Sequence, residues 1–210
     1  MPYFKKNNLN LLFIHIPKTG GTSIEDYFSN KYNIDLTNSI IYGYNNSLNI
    51  EVHATLQHLL YKTILKYKNV FKIDNNNLEI MTIVRNPYDK IVSDLFYLKF
   101  IHKFSTPMEV YIKLLKFIYS KNSIDNHNLP QHLFIRDNNN NIIENIKILH
   151  TETLNDDMNK LGYTDFNITS NKNRYHVKNY LKYLNSNSIK LINKCYHTDF
   201  ELFNYQKICT

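Results

Sequence analysis

The sequence predicts an α/β fold: a single three-layer αβα domain over residues 1–210 with a mostly parallel sheet. Two apolar runs, 11–16 and 79–84, are nearly unbroken by polar side chains, as expected of strands buried on both faces. Each run ends in a turn signal and leads into an amphipathic helix, the repeating unit of a parallel sheet. The length of 210 residues suits one domain with a sizeable core, and 43% hydrophobic with 14% aromatic residues excludes a disordered chain.

Along the chain, Gly20 and Gly21 end the first run, and Thr22 or Ser23 is placed to cap a helix through Ile24, Tyr27 and Phe28. Residues 39–44 suit a short strand. The spacing of Leu56, Leu59, Leu60, Ile64 and Tyr67 predicts one helix over 54–67. After the second run, Asn86 and Pro87 supply a cap and a first-turn proline for a helix carrying Ile91, Leu95 and Leu98. Thr106-Pro107 opens another, through Tyr119. Residues 132–135, an asparagine run and 142–149 read as a hairpin or strand pair. A short helix over 153–161 ends at Gly162, 165–175 is loop-like, and 177–204 is helical with a break near Asn185.

The net charge of +7 comes from scattered residues, with no block of five or six. That disfavours nucleic acid and membrane surfaces and favours a focused site for a small polyanion. No apolar run approaches the ~18 residues of a membrane span, and no signal peptide is visible, so a soluble, cytoplasmic protein is expected. The two cysteines, Cys195 and Cys209, make neither a disulfide framework nor a metal-ligand pattern, and no metal is expected.

The stretch "HIPKTGGTS" carries chemistry. A strand, a glycine-bearing turn and a helix start direct several backbone N–H groups at one point, where the helix dipole favours negative charge. Gly20 and Gly21 allow close backbone approach, Lys18 adds a mobile positive charge, and Thr19, Thr22 and Ser23 add hydroxyls. The result is a phosphate cradle. It is not a Walker A loop, in which the lysine follows the second glycine.

The second stretch, "RNPYDKIVS", begins with Arg85 at the carboxyl end of a strand, where α/β folds bind ligands. A guanidinium grips phosphate with a planar fork, and Ser93 adds a hydroxyl from the following helix. Arg85 paired to Asp89, with Ser93 as a packing residue, is the competing structural reading.

The two stretches, about 67 residues apart, resemble the signature of PAPS-dependent sulfotransferases, nearest to the carbohydrate and heparan-sulfate-type branch. PAPS is 3′-phosphoadenosine 5′-phosphosulfate. The segments "EVHATLQHLL", "LPQHLFI", "KILHTETLNDDMNKLG" and "CYHTDFELFNY" are similar to further parts of that family, so the likeness runs from Leu11 to Tyr205. It implies a P-loop-kinase-like fold in which Lys18, Thr19, Gly20, Gly21, Thr22 and Ser23 hold the 5′-phosphosulfate, while Arg85 and Ser93 hold the 3′-phosphate. Arg174, or Lys172 near it, could reach over the nucleotide, the competing reading being a solvated loop charge.

The implied reaction is in-line sulfuryl transfer to a hydroxyl, less readily an amine, of a carbohydrate, glycoconjugate or small-molecule acceptor. Positioning and charge stabilisation dominate such transfers, which makes Lys18 the stabiliser of the leaving group. The family position of His53 implies a general base, and an imidazole suits that work at neutral pH. Glu25, Glu51 and His15 are the alternatives, His15 reading as a satisfied core residue. A nucleotide-dependent kinase and an inactive nucleotide- or glycan-binding domain are the rival functions.

Overall fold

The computed structural model describes residues 2–36, 50–121, 124–167 and 179–210. Among them is a sheet of four strands in the order β1-β2-β3-β4. Strands β2 (Leu9–Ile14), β3 (Glu79–Val84) and β4 (Lys147–His150) run parallel, and β1 (Tyr3–Lys6) lies antiparallel on the edge. The mostly parallel sheet is the expected one; β1 is an addition. Its four residues are too few to show a period, and a turn at Asn7-Asn8, with Asn7 at φ 53°, folds it back onto β2. β2 accordingly begins at Leu9. It ends at Ile14, because His15 and Ile16 lead the chain out of the ladder into the Pro17–Lys18 bend.

Helix α1 (Gly21–Tyr32) and, far along the chain, α5 (Leu154–Lys160) cover one face of the sheet. There Phe4, Leu11, Phe13, Met81 and Ile83 meet Ile24, Phe28 and Met158. The alternate residues Leu12, Ile14 and Val84 point to the other face, against Leu56, Leu59, Ile64, Phe71 and Phe134. This alternation builds the three layers. Helices α3 (Pro87–Tyr97), α4 (Pro107–Ile118), α6 (Ser186–Cys195) and α7 (His197–Leu202) bury a further core through Ile91, Leu95, Val110, Leu114, Ile192 and Phe200. Each such fully buried aliphatic or aromatic side chain contributes about 1.5–3 kcal/mol.

Several helix ends form as expected. The Asn86 side chain accepts from the Tyr88 amide, with Pro87 in the first turn. Thr106 and Glu109 make a reciprocal capping box. Gly162 takes φ 89° just past α5, and Asn185 caps α6 by accepting from Ser188 N at 2.9 Å. Tyr196 adds a second break before α7.

Three expectations are corrected. Neither Thr22 nor Ser23 caps α1; the helix begins at Gly21 behind a left-handed Gly20, φ 92°, with no side-chain cap. The single helix over 54–67 is a 3₁₀ turn (Leu56–His58), two extended leucines and a short α2 (Tyr61–Lys66). Tertiary hydrogen bonds decide this: Asp125 accepts from the Thr55 amide at 2.6 Å, and Asn126 donates to the His58 carbonyl at 2.8 Å. Leu56, Leu59 and Ile64 still reach one core, so the apolar spacing was real but was satisfied by a turn. The hairpin over 132–149 is a 3₁₀ segment (Gln131–Ile135), one antiparallel bridge from Arg136 to Ile142, and β4, which pairs with β3 instead. The strand expected at 39–44, Lys172 and Arg174 lie outside the described residues.

Candidate active site

Loops leaving the carboxyl ends of β2, β3 and β4 meet at one point. After β2 the backbone passes through Lys18 at φ 62° and Gly20 at φ 92°, two left-handed residues that wrap the loop back onto the start of α1. Such a conformation at a lysine costs about 1–3 kcal/mol and persists only where its surroundings fix it. The surroundings are specific. The Thr19 hydroxyl donates to the Ile16 carbonyl at 2.9 Å, so Thr19 is buried and faces the loop with its main chain. Thr151, at the end of β4, has its hydroxyl 2.5 Å from the Thr19 carbonyl and 3.0 Å from that of Val84, joining all three loops. Arg85 donates from Nη1 to the Lys18 carbonyl at 3.1 Å.

Arg85 is itself held on both sides. The Gln131 side chain accepts from the Arg85 amide at 2.9 Å and donates to its carbonyl at 2.8 Å, as a neighbouring strand would. The buried Asp199 carboxylate fixes Gln131 by accepting its amide at 2.7 Å. The guanidinium lies 5.0 Å from the Tyr180 ring centre, a cation–π distance. Asp89 makes no close ion pair with Arg85 but feels its charge: burial raises the Asp89 carboxyl, and the Arg85 charge pulls it back down. Ser93 is buried two turns into α3.

Below the loop lies a row of histidines. The His15 ring fills the space over Gly21: a β-carbon there would stand 2.5 Å from His15 Nε2. Buried Glu25 hydrogen-bonds His15 Nδ1, which satisfies these two of the three alternatives to His53 as core residues; the third, Glu51, is exposed. The His58 ring stands edge-on to His15 at 5.2 Å, and His127 edge-on to His58 at 5.2 Å. Tyr97 stacks on His127 at 13°, and Lys18 Nζ lies over the Tyr97 ring, 4.3 Å from its centre. Carboxylates orient the row: Asp125 accepts from His58 Nδ1 at 2.7 Å, and Asp94 pairs with His127 Nδ1 at 2.6 Å and with buried Lys90 at 2.8 Å. Burial pushes the His58 imidazolium down to about 4, with Asp125 pulling the other way.

The structure therefore brings Lys18, Thr19, Gly20, Gly21 and Arg85 together. Gly20 and Thr22 are exposed on the open side and Ser23 is half-buried there. By helix geometry the amides of Gly21 and Thr22 have no intrahelical acceptor, and such first-turn amides are the groups with which helix starts bind anions. His53 is exposed in the segment ahead of the 3₁₀ turn. His58, Asp125 and His127 place one ligand atom each within 4.8 Å of one another, with Asp125 and Asp94 hydrogen-bonded to the two Nδ1 atoms. Tyr97, Gln131, Thr151 and the His58–Asp125 pair escaped the sequence reading. Only the likeness of "LPQHLFI" and "KILHTE" to family segments pointed near two of them.

The glycine loop, the lysine and the arginine thus stand at the carboxyl ends of adjacent parallel strands, where α/β folds place their ligand sites. The chain belongs to the sulfotransferase family, whose family model matches residues 2–206. The carbohydrate branch is consistent with that family. Searches of curated proteins and of solved structures returned no match.

Proposed function

We propose that the protein moves a sulfuryl group from PAPS to a hydroxyl of a carbohydrate or glycoconjugate acceptor. The observation that supports this reading is the Arg85–Lys18 contact, 3.1 Å, because it joins the two motifs that the resemblance assigns to the cofactor. In this reading Lys18 and the amides around Gly20, Gly21, Thr22 and Ser23 face the 5′-phosphosulfate; Thr19 contributes its main chain. Arg85 and Ser93 face the 3′-phosphate, and Arg174 is a further contact. PAPS supplies an activated sulfuryl group on a phosphate leaving group. The acceptor oxygen bonds to sulfur as the bond from sulfur to the 5′-phosphate breaks. Lys18 offsets the charge that gathers on that phosphate, and the acceptor proton passes to a base.

His53 is that base. It is exposed, whereas half-buried His58, pushed down to about 4, is the weaker base near pH 7. Transfer of label from sulfur-labelled PAPS to a panel of desulfated glycans and simple hydroxyl compounds tests the proposal. Label should reach at least one acceptor, and His53→Ala should abolish it while His58→Asn retains it. No labelled product from any acceptor, with donor binding intact, would remove the transfer activity from this reading. No helix among the described residues is long and apolar enough to cross a membrane.

A further inference from the structure

Helix α4 is apolar on two opposite sides. Val110, Leu114 and Phe117 point into the core shared with α3 and α6. Opposite them run Met108, Ile112, Leu115 and Tyr119, spaced four, three and four residues apart. Met108 is 56%, Ile112 47% and Tyr119 60% exposed, and Phe104, just ahead of the helix, is 77% exposed. A solvent-facing helix surface is normally polar. A stripe one side chain wide with 4-3-4 spacing is the seam that one helix presents to another.

The charges beside the stripe identify the other helix. Glu109 and Lys116 lie along the same edge of it, one turn pair apart and opposite in sign. If a second α4 is laid antiparallel about a two-fold axis midway along the helix, Met108 meets the partner's Tyr119 and Ile112 meets the partner's Leu115. In that register Glu109 comes beside the partner's Lys116, and the same pair recurs at the other end. A parallel pairing would put the two copies of this edge on opposite sides of the seam, where Glu109 and Lys116 do not meet. A two-fold interface must be complementary to itself, and this edge is. A lipid surface would favour lysines alone beside the stripe.

We infer that the protein pairs with a second copy of itself through an antiparallel α4–α4 contact, with Met108, Ile112, Leu115 and Tyr119 as its apolar seam. This inference is independent of the donor and acceptor. The helix has 12 residues, about 18 Å at ~1.5 Å per residue, so the interface is small and the dimer depends on concentration.

Sedimentation velocity of the full chain, from low to high micromolar concentration, tests it. The mass should rise from 25.1 kDa toward twice that value. Ile112→Asp, at an exposed position, should hold the chain mass at every concentration with an unchanged circular dichroism spectrum. Lys116→Glu should weaken association at least tenfold. A wild type that stays at 25.1 kDa throughout overturns the inference, as does a dimer indifferent to Ile112→Asp or Lys116→Glu. A monomer that co-sediments with phosphatidylserine vesicles, and loses that binding in Ile112→Asp, overturns it in favour of a membrane surface.

Discussion

Gly21→Ala probes the cradle most sharply, because the structure fixes what the added methyl group meets. It would stand 2.5, 2.6 and 2.9 Å from Nε2, Cδ2 and Cε1 of His15, all closer than real β-carbon contacts. The ring cannot swing away cheaply. Glu25 holds its Nδ1, Phe13 lies 5.8 Å from it and His58 5.2 Å on another side. Overpacking of this kind costs about 1–3 kcal/mol. At about 2–4 °C per kcal/mol for a chain of this size, the melting temperature should fall by several degrees. If the loop moves instead, its amides leave their aim and affinity for 3′-phosphoadenosine 5′-phosphate should drop, by about 10-fold or more for each charge-assisted hydrogen bond lost. Thermal unfolding and calorimetric titration read the two outcomes. In a His15→Ala background the added cost of Gly21→Ala should shrink below about 0.5 kcal/mol, the limit for independent sites. A Gly21→Ala protein with wild-type melting and wild-type nucleotide affinity would refute the packing argument.

Further perturbations separate chemistry from scaffold. Lys18→Ala should lower turnover by about 10²–10³-fold, the scale of one lost oxyanion donor; wild-type turnover would remove Lys18 from the mechanism. Thr151→Val leaves the Thr19 and Val84 carbonyls without that hydroxyl and should cost about 1–3 kcal/mol of stability in urea titration, with weaker nucleotide binding. His58 makes stability depend on pH. Its folded value near 4 lies below the ordinary 6.5, so the unfolded chain binds more protons between those limits. Stability is present above about 6.5 and is lost as pH falls toward 4, by at most about 3 kcal/mol. Urea midpoints across that range should show the decline, and His58→Asn should flatten it; an identical slope in the variant would contradict the assignment.

The parts legible in the sequence are those fixed by local chemistry. The strand over residues 79–84, the Asn86 and Thr106 caps, the Gly162 stop and the break at Asn185 all follow from residue types whose preferences need no distant partner. The glycine loop was legible because Lys18, two glycines and two hydroxyls fall within six residues of a strand end. The 54–67 segment misled because Asp125, far along the chain, captures Thr55 and His58 and turns a helical period into two pieces. The same distance hides the Gln131 clamp on Arg85 and the Thr151 bridge. The first strand was invisible for want of length, being held by its pairing with β2.

The most direct test of the central claim is calorimetric titration of the purified protein, in EDTA, with 3′-phosphoadenosine 5′-phosphate and with AMP. Micromolar binding that requires the 3′-phosphate, and that weakens by about 1.5–3 kcal/mol in Arg85→Ala, is the predicted result. Equal affinity for AMP, or binding untouched by Arg85→Ala, would contradict a 3′-phosphate site at the crevice where Arg85 meets Lys18.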